Sequence, residues 1–353
     1  MNKDIIVCNF FITTSEYGMS CNVIKIFRKD LMPHDLRNIQ EWVKSRYIIL
    51  NRCGIRSFLN QIGVTRLEDF VSITNCVSLK DTYWVKGENS RKLWKSVSPY
   101  GKPLNKVIAD YSFDREISGK FITGSPDFAT DGTFPKCWKR VNGVLQLYKA
   151  GSSGACDAGN EPYSEVYASM ISDMLGICHV KYTLGTYRGR VVSKCDCMCN
   201  EDIGFISYRD YTGDRSADFS SLLRTFSKFR YDYRLVDMLL LDYLLCNVNR
   251  HYGNFGFLIN NDTNKIVGLS PTFNNNLSCI PYYMADERLE YYIDNIRAKD
   301  GRTWNELFNL INSKYVRSRL GMLASKYKKI RINKDRDDIV DRLIRVQLKR
   351  TGL

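Results

Sequence analysis

Three pieces in fixed order constrain this chain most: an apolar helix, a short amide-rich loop and a turn built on Pro-Thr-Phe. Residues 233–247 (YRLVDMLLLDYLLCN) read as a helix that is apolar on nearly every side, and such a helix needs a core large enough to surround it. Residues 249–256 (NRHYGNFG) then leave the helix and lead into a strand-like run, and residues 270–278 (SPTFNNNLS) follow about twenty positions on. A length of 353 residues and a hydrophobic content of 44% supply the core and suit two lobes or two domains.

The loop has a chemical spacing as well as a shape. In the phosphotransferase arrangement D-x-x-x-x-N, the Asp orients or accepts the proton of a hydroxyl, and the Asn five positions later reaches a magnesium ion on the nucleotide phosphates. Here Asn254 stands at the second position and Asn249 replaces the Asp. A second, magnesium-binding Asp is expected further on, and that position holds Asn274. The candidate catalytic positions are therefore Asn249, Asn254 and Asn274, and the candidate metal positions Asn254 and Asn274.

The paired stretches and the helix before them resemble the HipA-like Ser/Thr kinase family, Firmicute-type members included, in which the two motifs read N-x-D-R-H-x-x-N-F-G and P-x-F-D-N-G. The resemblance is good over residues 120–300 and looser before them. It implies an α+β, protein-kinase-like two-lobed fold, with a strand-rich small lobe and a helical large lobe. It also implies use of ATP and Mg2+, phosphorylation of a protein hydroxyl, and a bacterial setting with an antitoxin-type partner. Both acidic positions are amides here, and Asn276 stands where the family has Gly. Three departures in one site point to drift of the whole site, as in a pseudokinase, rather than to a designed inactivation. An amide cannot take a proton near neutral pH, and a positioned base is worth roughly a hundred- to ten-thousand-fold in rate. Neutral oxygens also hold magnesium less firmly than carboxylates do. ATP binding at a weakened metal site, with reduced or no catalysis, is the expectation.

The small-lobe candidates lie upstream. Residues 128–138 (FATDGTFPKCW) place small and turn-forming residues between strand-like flanks, as a loop over phosphates requires, so Thr130, Asp131 and Gly132 are candidate nucleotide contacts. The next strand-like run, residues 143–149 (GVLQLYK), ends in Lys149, a point charge for the α and β phosphates. Residues 161–171 read as a helix offering two acids. Glu161 precedes Pro162 and is expected to cap it; Glu165 lies inside and is the expected partner of Lys149. Residues 182–185 and 190–195 read as a hairpin running into a hinge, where the backbone around Cys197 is placed to meet an adenine edge. Cys195, Cys197 and Cys199 alternate, but the usual zinc spacing is C-x-x-C, so a half-buried strand is the preferred reading. In the loop, His251 is expected to pack by hydrogen bonding and Arg250 to pair with a carboxylate.

The expected partition is a family-specific region over 1–118, a small lobe with its hinge over 119–200, and a helical large lobe over 201–353. A helix is expected over 37–46 and a strand over 77–86, with large-lobe helices over 219–229, 233–246, 284–298, 303–327 and 334–350. Twelve scattered cysteines suit a reducing compartment, and neither a signal peptide nor an apolar run of about 18 residues is visible, so a soluble cytoplasmic protein with no membrane contact is expected. The formal charge is +14, and residues 313–353 hold 13 Lys and Arg against 4 Asp. Solvated amphipathic helices account for that tail, and contact with nucleic acid is the alternative: a non-catalytic scaffold using the basic C-terminal helices.

Overall fold

The computed structural model describes residues 1–15, 18–46, 67–104, 112–113, 134–155, 157–214, 216, 218–284 and 288–352. The chain forms two compact units, each assembled from separated segments. The first comprises residues 1–147, 196–213 and 257–267, the second residues 148–195, 214–256 and 268–353.

The first unit opens with strands β1 (Cys8–Ser15) and β2 (Gly18–Ile26), an antiparallel hairpin with a register shift between Asn9 and Phe10. Helix α1 (Ile39–Ser45) follows, capped by the Asn38 side chain, which accepts from the amides of Gln40 and Glu41. Helices α2 (Leu67–Thr74) and α3 (Trp94–Val97) come next. Val7, Leu31, Trp42, Val43, Phe70 and Tyr83 pack into one core. Residues 77–86 do not form the expected strand; their one ladder contact is the bridge from Asn2 to Tyr83. Their alternation buries side chains instead: Val77 and Trp84 join a small cluster with Trp94 and Val97. Their polar groups bond locally, with Arg46 holding Asp81 and donating to the carbonyls of Cys76 and Tyr83.

Strands β3 (Lys136–Val141) and β4 (Val144–Ala150) lead to helix α4 (Glu161–Leu175), then to β5 (Thr183–Tyr187) and β6 (Arg190–Asp196), a five-pair antiparallel hairpin. The strands form one sheet in the order β3-β4-β6-β5. A three-stranded sheet joins β7 (Ile203–Ser207), β8 (Gly256–Asn260) and β9 (Lys265–Leu269), in that order. The helix α5 (Tyr208–Thr212) follows β7 directly.

The second unit is mainly helical: α6 (Phe219–Ser227), α7 (Asp232–Leu245), α8 (Leu289–Asn295), α9 (Trp304–Ile311), α10 (Lys314–Lys326) and α11 (Lys334–Arg350). The span expected as one helix over 303–327 is two. Asn312 leaves helical geometry, and the Ser313 hydroxyl caps a new start by accepting from the Val316 amide. Helix α7 is buried nearly all round, as its composition requires, with Leu235, Leu240, Leu241, Tyr243, Leu244 and Leu245 inaccessible to solvent. Tyr243 and Gln347 lock α7 to α11 reciprocally: the Tyr243 hydroxyl donates to the Gln347 carbonyl at 2.9 Å, and Gln347 Nε2 donates to the Tyr243 carbonyl at 2.7 Å. No described helix is long and apolar enough to cross a membrane.

Candidate active site

Helix α7 stops at Cys246, whose φ of +51° is the left-handed turn that ends a helix. The chain is thereby turned into the amide loop, whose first contacts are local. Asn247 Nδ2 donates to Asp242 Oδ1 at 2.8 Å, and the Asn249 amide donates to Asn247 Oδ1 at 3.0 Å. Asn254 Nδ2 donates to the Asn249 carbonyl at 2.9 Å, which ties the two ends of the loop together. The His251 ring accepts from the Gly253 amide at 3.1 Å, a packing contact.

Arg250 is the loop's anchor. It holds Asp242 through Nε to Oδ2 at 2.9 Å and Nη2 to Oδ1 at 2.9 Å, with both side chains almost fully buried. The remaining donors reach the Phe273 carbonyl at 2.6 Å and Asn275 Oδ1 at 2.6 Å. A planar guanidinium has five donors in a fixed fork, enough to hold a carboxylate bidentately and still reach a carbonyl and an amide.

Asn275 continues the network, since its own amide donates to Glu165 Oε2 at 2.7 Å. The other Glu165 oxygen accepts from Lys149 Nζ at 3.1 Å, and the two side chains are 0% and 11% exposed. Lys149 Nζ donates also to Asn274 Oδ1 at 2.6 Å. Asn274 takes a φ of +59°, a left-handed conformation that Asn tolerates better than most residues, and its amide donates to the Tyr182 hydroxyl at 3.4 Å. Burial, with Glu165 nearby, pushes the Tyr182 phenol well above its ordinary range, so it stays protonated. One connected network inside the second unit thus runs from Lys149 through Glu165, Asn275, Arg250, Asp242 and Asn247 to Asn249.

Among the sequence-derived candidates, Lys149, Glu165, Asn249, Asn254 and Asn274 all lie in this unit. Thr130, Asp131 and Gly132 fall outside the described residues. Cys197 belongs to the first unit, where its amide donates to the Leu145 carbonyl at 2.8 Å, so that N–H is already spent. Glu161 does not cap α4 as expected. It is the first residue of the helix and fully buried, and it accepts from the Ser152 amide at 3.1 Å and the Tyr282 hydroxyl at 2.7 Å. Sequence reasoning missed the linking roles of Asn275 and Asn247. Both adjoin motif positions, and that adjacency was their only signal.

The donor set decides what the site can hold. Lys149 is a cation suited to phosphate. Magnesium fits poorly, because Glu165 and Asp242 are each neutralised by a paired cation, Lys149 and Arg250, and the candidate metal positions Asn254 and Asn274 offer only neutral oxygens. Among the described residues no group of three or more His, Cys, Asp or Glu side chains could hold a metal ion, Cys195 to Cys199 included.

No family model matches the chain, and no curated protein matches it in sequence. Solved structures do match. The HipA–HipB–operator DNA complex of the Shewanella oneidensis MR-1 toxin–antitoxin system aligns over 99% of this chain and 95% of that one, at 13% identity and a TM-score of 0.52. The fold is that of the HipA-like kinases. The Helicobacter pylori proinflammatory kinase CtkA aligns over 61% of this chain and 90% of its own, at 16% identity and a TM-score of 0.49. On the HipA-like fold the α+β class and the mixture of strand-rich and helical parts follow together.

The basic C-terminal helices α10 and α11 are partly spent on structure. Arg336 is buried and donates to the carbonyls of Cys279 and Ile280, at 2.7 and 2.6 Å, and Arg319 pairs with Asp237. Lys329, Arg345 and Arg350 pair with Asp338, Asp341 and Asp294. Lys314, Lys326, Lys328, Arg331, Lys334, Arg342 and Lys349 are exposed.

Proposed function

We propose that this HipA-like protein binds ATP at Lys149 and transfers its phosphoryl group slowly or not at all. The observation that carries the reading is the buried Lys149–Glu165 pair at 3.1 Å, which fixes an ammonium at the end of β4, hydrogen-bonded to Asn274 of the second motif. That is what positioning of a polyphosphate asks of a kinase-like small lobe. Asn249 occupies the place of the proton acceptor and offers none, so binding outlasts catalysis. A protein hydroxyl is the acceptor class that the resemblance implies for whatever transfer remains.

The test is calorimetric titration of ATP into the full chain and into Lys149→Ala. Heat with the parent and none with the folded variant supports the reading. Equal heats, or none with the parent, remove it.

A second reading, a scaffold that contacts a polyanion, rests on the exposed bases of α10 and α11. The HipA structure it resembles was solved with HipB and operator DNA. Binding to duplex DNA that weakens steeply with salt supports this reading, since each phosphate contact releases counterions; binding that is absent or salt-insensitive removes it.

A further inference from the structure

The amides of this site do more than lower a rate, because they change the charge the site presents to a ligand. Within the network the formal charges cancel in two pairs, Lys149 with Glu165 and Arg250 with Asp242. Asn249, Asn254 and Asn274 add none. A magnesium ion takes oxygen ligands in near-octahedral geometry, usually with one or two carboxylates among them. Here each carboxylate oxygen already accepts a hydrogen bond from a cation or an amide.

The two amide oxygens left to consider do not restore a cation site. Asn274 Oδ1 lies 2.6 Å from Lys149 Nζ, so a divalent ion on that oxygen would stand against an ammonium. Asn254 holds its side chain in place by donating to the Asn249 carbonyl, which leaves it one neutral oxygen to offer. Nor does Tyr182 add a negative charge, because its phenol is kept protonated. Among the described residues of this network, the charge offered to a polyphosphate is the ammonium of Lys149. Removing its hold on Asn274 costs one hydrogen bond to a neutral amide oxygen, which a phosphate oxygen would replace with one between two charged groups.

We propose that nucleotide binding at this site is metal-independent: the ligand is the free nucleoside triphosphate, with Lys149 taking the electrostatic role that a divalent cation would otherwise fill. This rests on the nucleotide reading above and specifies the form of the ligand.

ATP is titrated into the full chain twice, once with EDTA and once with excess magnesium chloride. The expected result is a Kd in EDTA no more than about threefold weaker than with magnesium. A Kd in EDTA weaker than that overturns metal independence and leaves the nucleotide reading standing. Binding in neither condition removes both. The companion variant is Asn274→Asp, which adds a carboxylate without changing shape and keeps a residue tolerant of positive φ. It is expected to bind at least about tenfold more tightly with magnesium than with EDTA. A folded Asn274→Asp protein as indifferent to magnesium as the parent overturns the argument from the donor set.

Discussion

Lys149 Nζ lies 2.6 Å from Asn274 Oδ1 and 3.1 Å from Glu165 Oε1, so one ammonium joins an amide of the second motif to a buried carboxylate of α4. The lysine is both a candidate ligand contact and, among the described residues, the cation paired with Glu165.

Replacing it therefore has two separable effects. In Lys149→Met, Glu165 stays 0% exposed and loses its cation, and breaking a buried pair in this way costs about 3 kcal/mol. Urea unfolding reads this loss. The double variant Lys149→Met, Glu165→Gln is expected to recover much of the stability and none of the ATP binding. A double variant as unstable as the single one would assign the loss to packing.

Catalysis is expected to return only when both acids do. Asn249→Asp alone supplies a proton acceptor without a metal site, and Asn274→Asp alone the reverse. The double variant is expected to turn over labelled ATP at least about a hundredfold faster than the parent, the lower end of what a positioned base contributes. The check is product analysis with γ-labelled nucleotide. A double variant no faster than the parent would show that the drift extends beyond these two positions.

Arg250 is expected to be the most stability-sensitive residue of the loop. Arg250→Met leaves Asp242 buried without its guanidinium partner and takes one donor each from the Phe273 carbonyl and Asn275 Oδ1. The expected loss is about 4 kcal/mol in chemical unfolding. Asp242→Asn should couple to it, with the two losses summing to more than that of the double variant.

The parts of the site that were legible in the sequence are those set by covalent spacing. The order of helix, loop and Pro-Thr-Phe turn fixes where Asn249, Asn254 and Asn274 fall, and the apolar run before Lys149 fixes a strand with a charged end. The pairing of Lys149 with Glu165 was expected too, and so was a carboxylate for Arg250, but which carboxylate and the remaining links were not legible. Asp242 and Arg250 meet because Cys246 adopts a left-handed turn that folds the loop back on α7, and nothing in an eight-residue separation specifies that. Alternation misled over residues 77–86, since burial on both faces of an irregular segment imitates a strand. The break at Asn312 was hidden because the apolar period continues across it, and the Ser313 cap was the signal passed over.

The turn after the second motif is held from outside. Cys279 and Ile280 both have positive φ, +58° and +45°, and a β-branched residue there is strained. Arg336 donates to both carbonyls from α11. Arg336→Ala is expected to cost about 3 kcal/mol, because two buried carbonyls lose a charged donor. Thermal unfolding checks this; a change under about 0.5 kcal/mol, the range of ordinary surface substitutions, would mean that the turn holds itself.

Acid should loosen α11 first at Asp337. Burial by itself raises this carboxyl, yet the amides of Ile332 and Asn333 and the Tyr167 hydroxyl all bind its ionised form and hold it below the usual carboxylate range. A depressed folded-state pKa gives stability that is present above the unfolded value, near 3.9, and is lost as pH falls through the folded one. Below pH 4 the parent should therefore lose stability more steeply than Asp337→Asn, and the two should differ most at neutral pH, with the parent the more stable. Urea midpoints measured from pH 7 down to pH 3 test the sign. A variant whose acid limb is as steep as the parent's would place the proton uptake on another carboxylate, because only a group still able to titrate can contribute slope there.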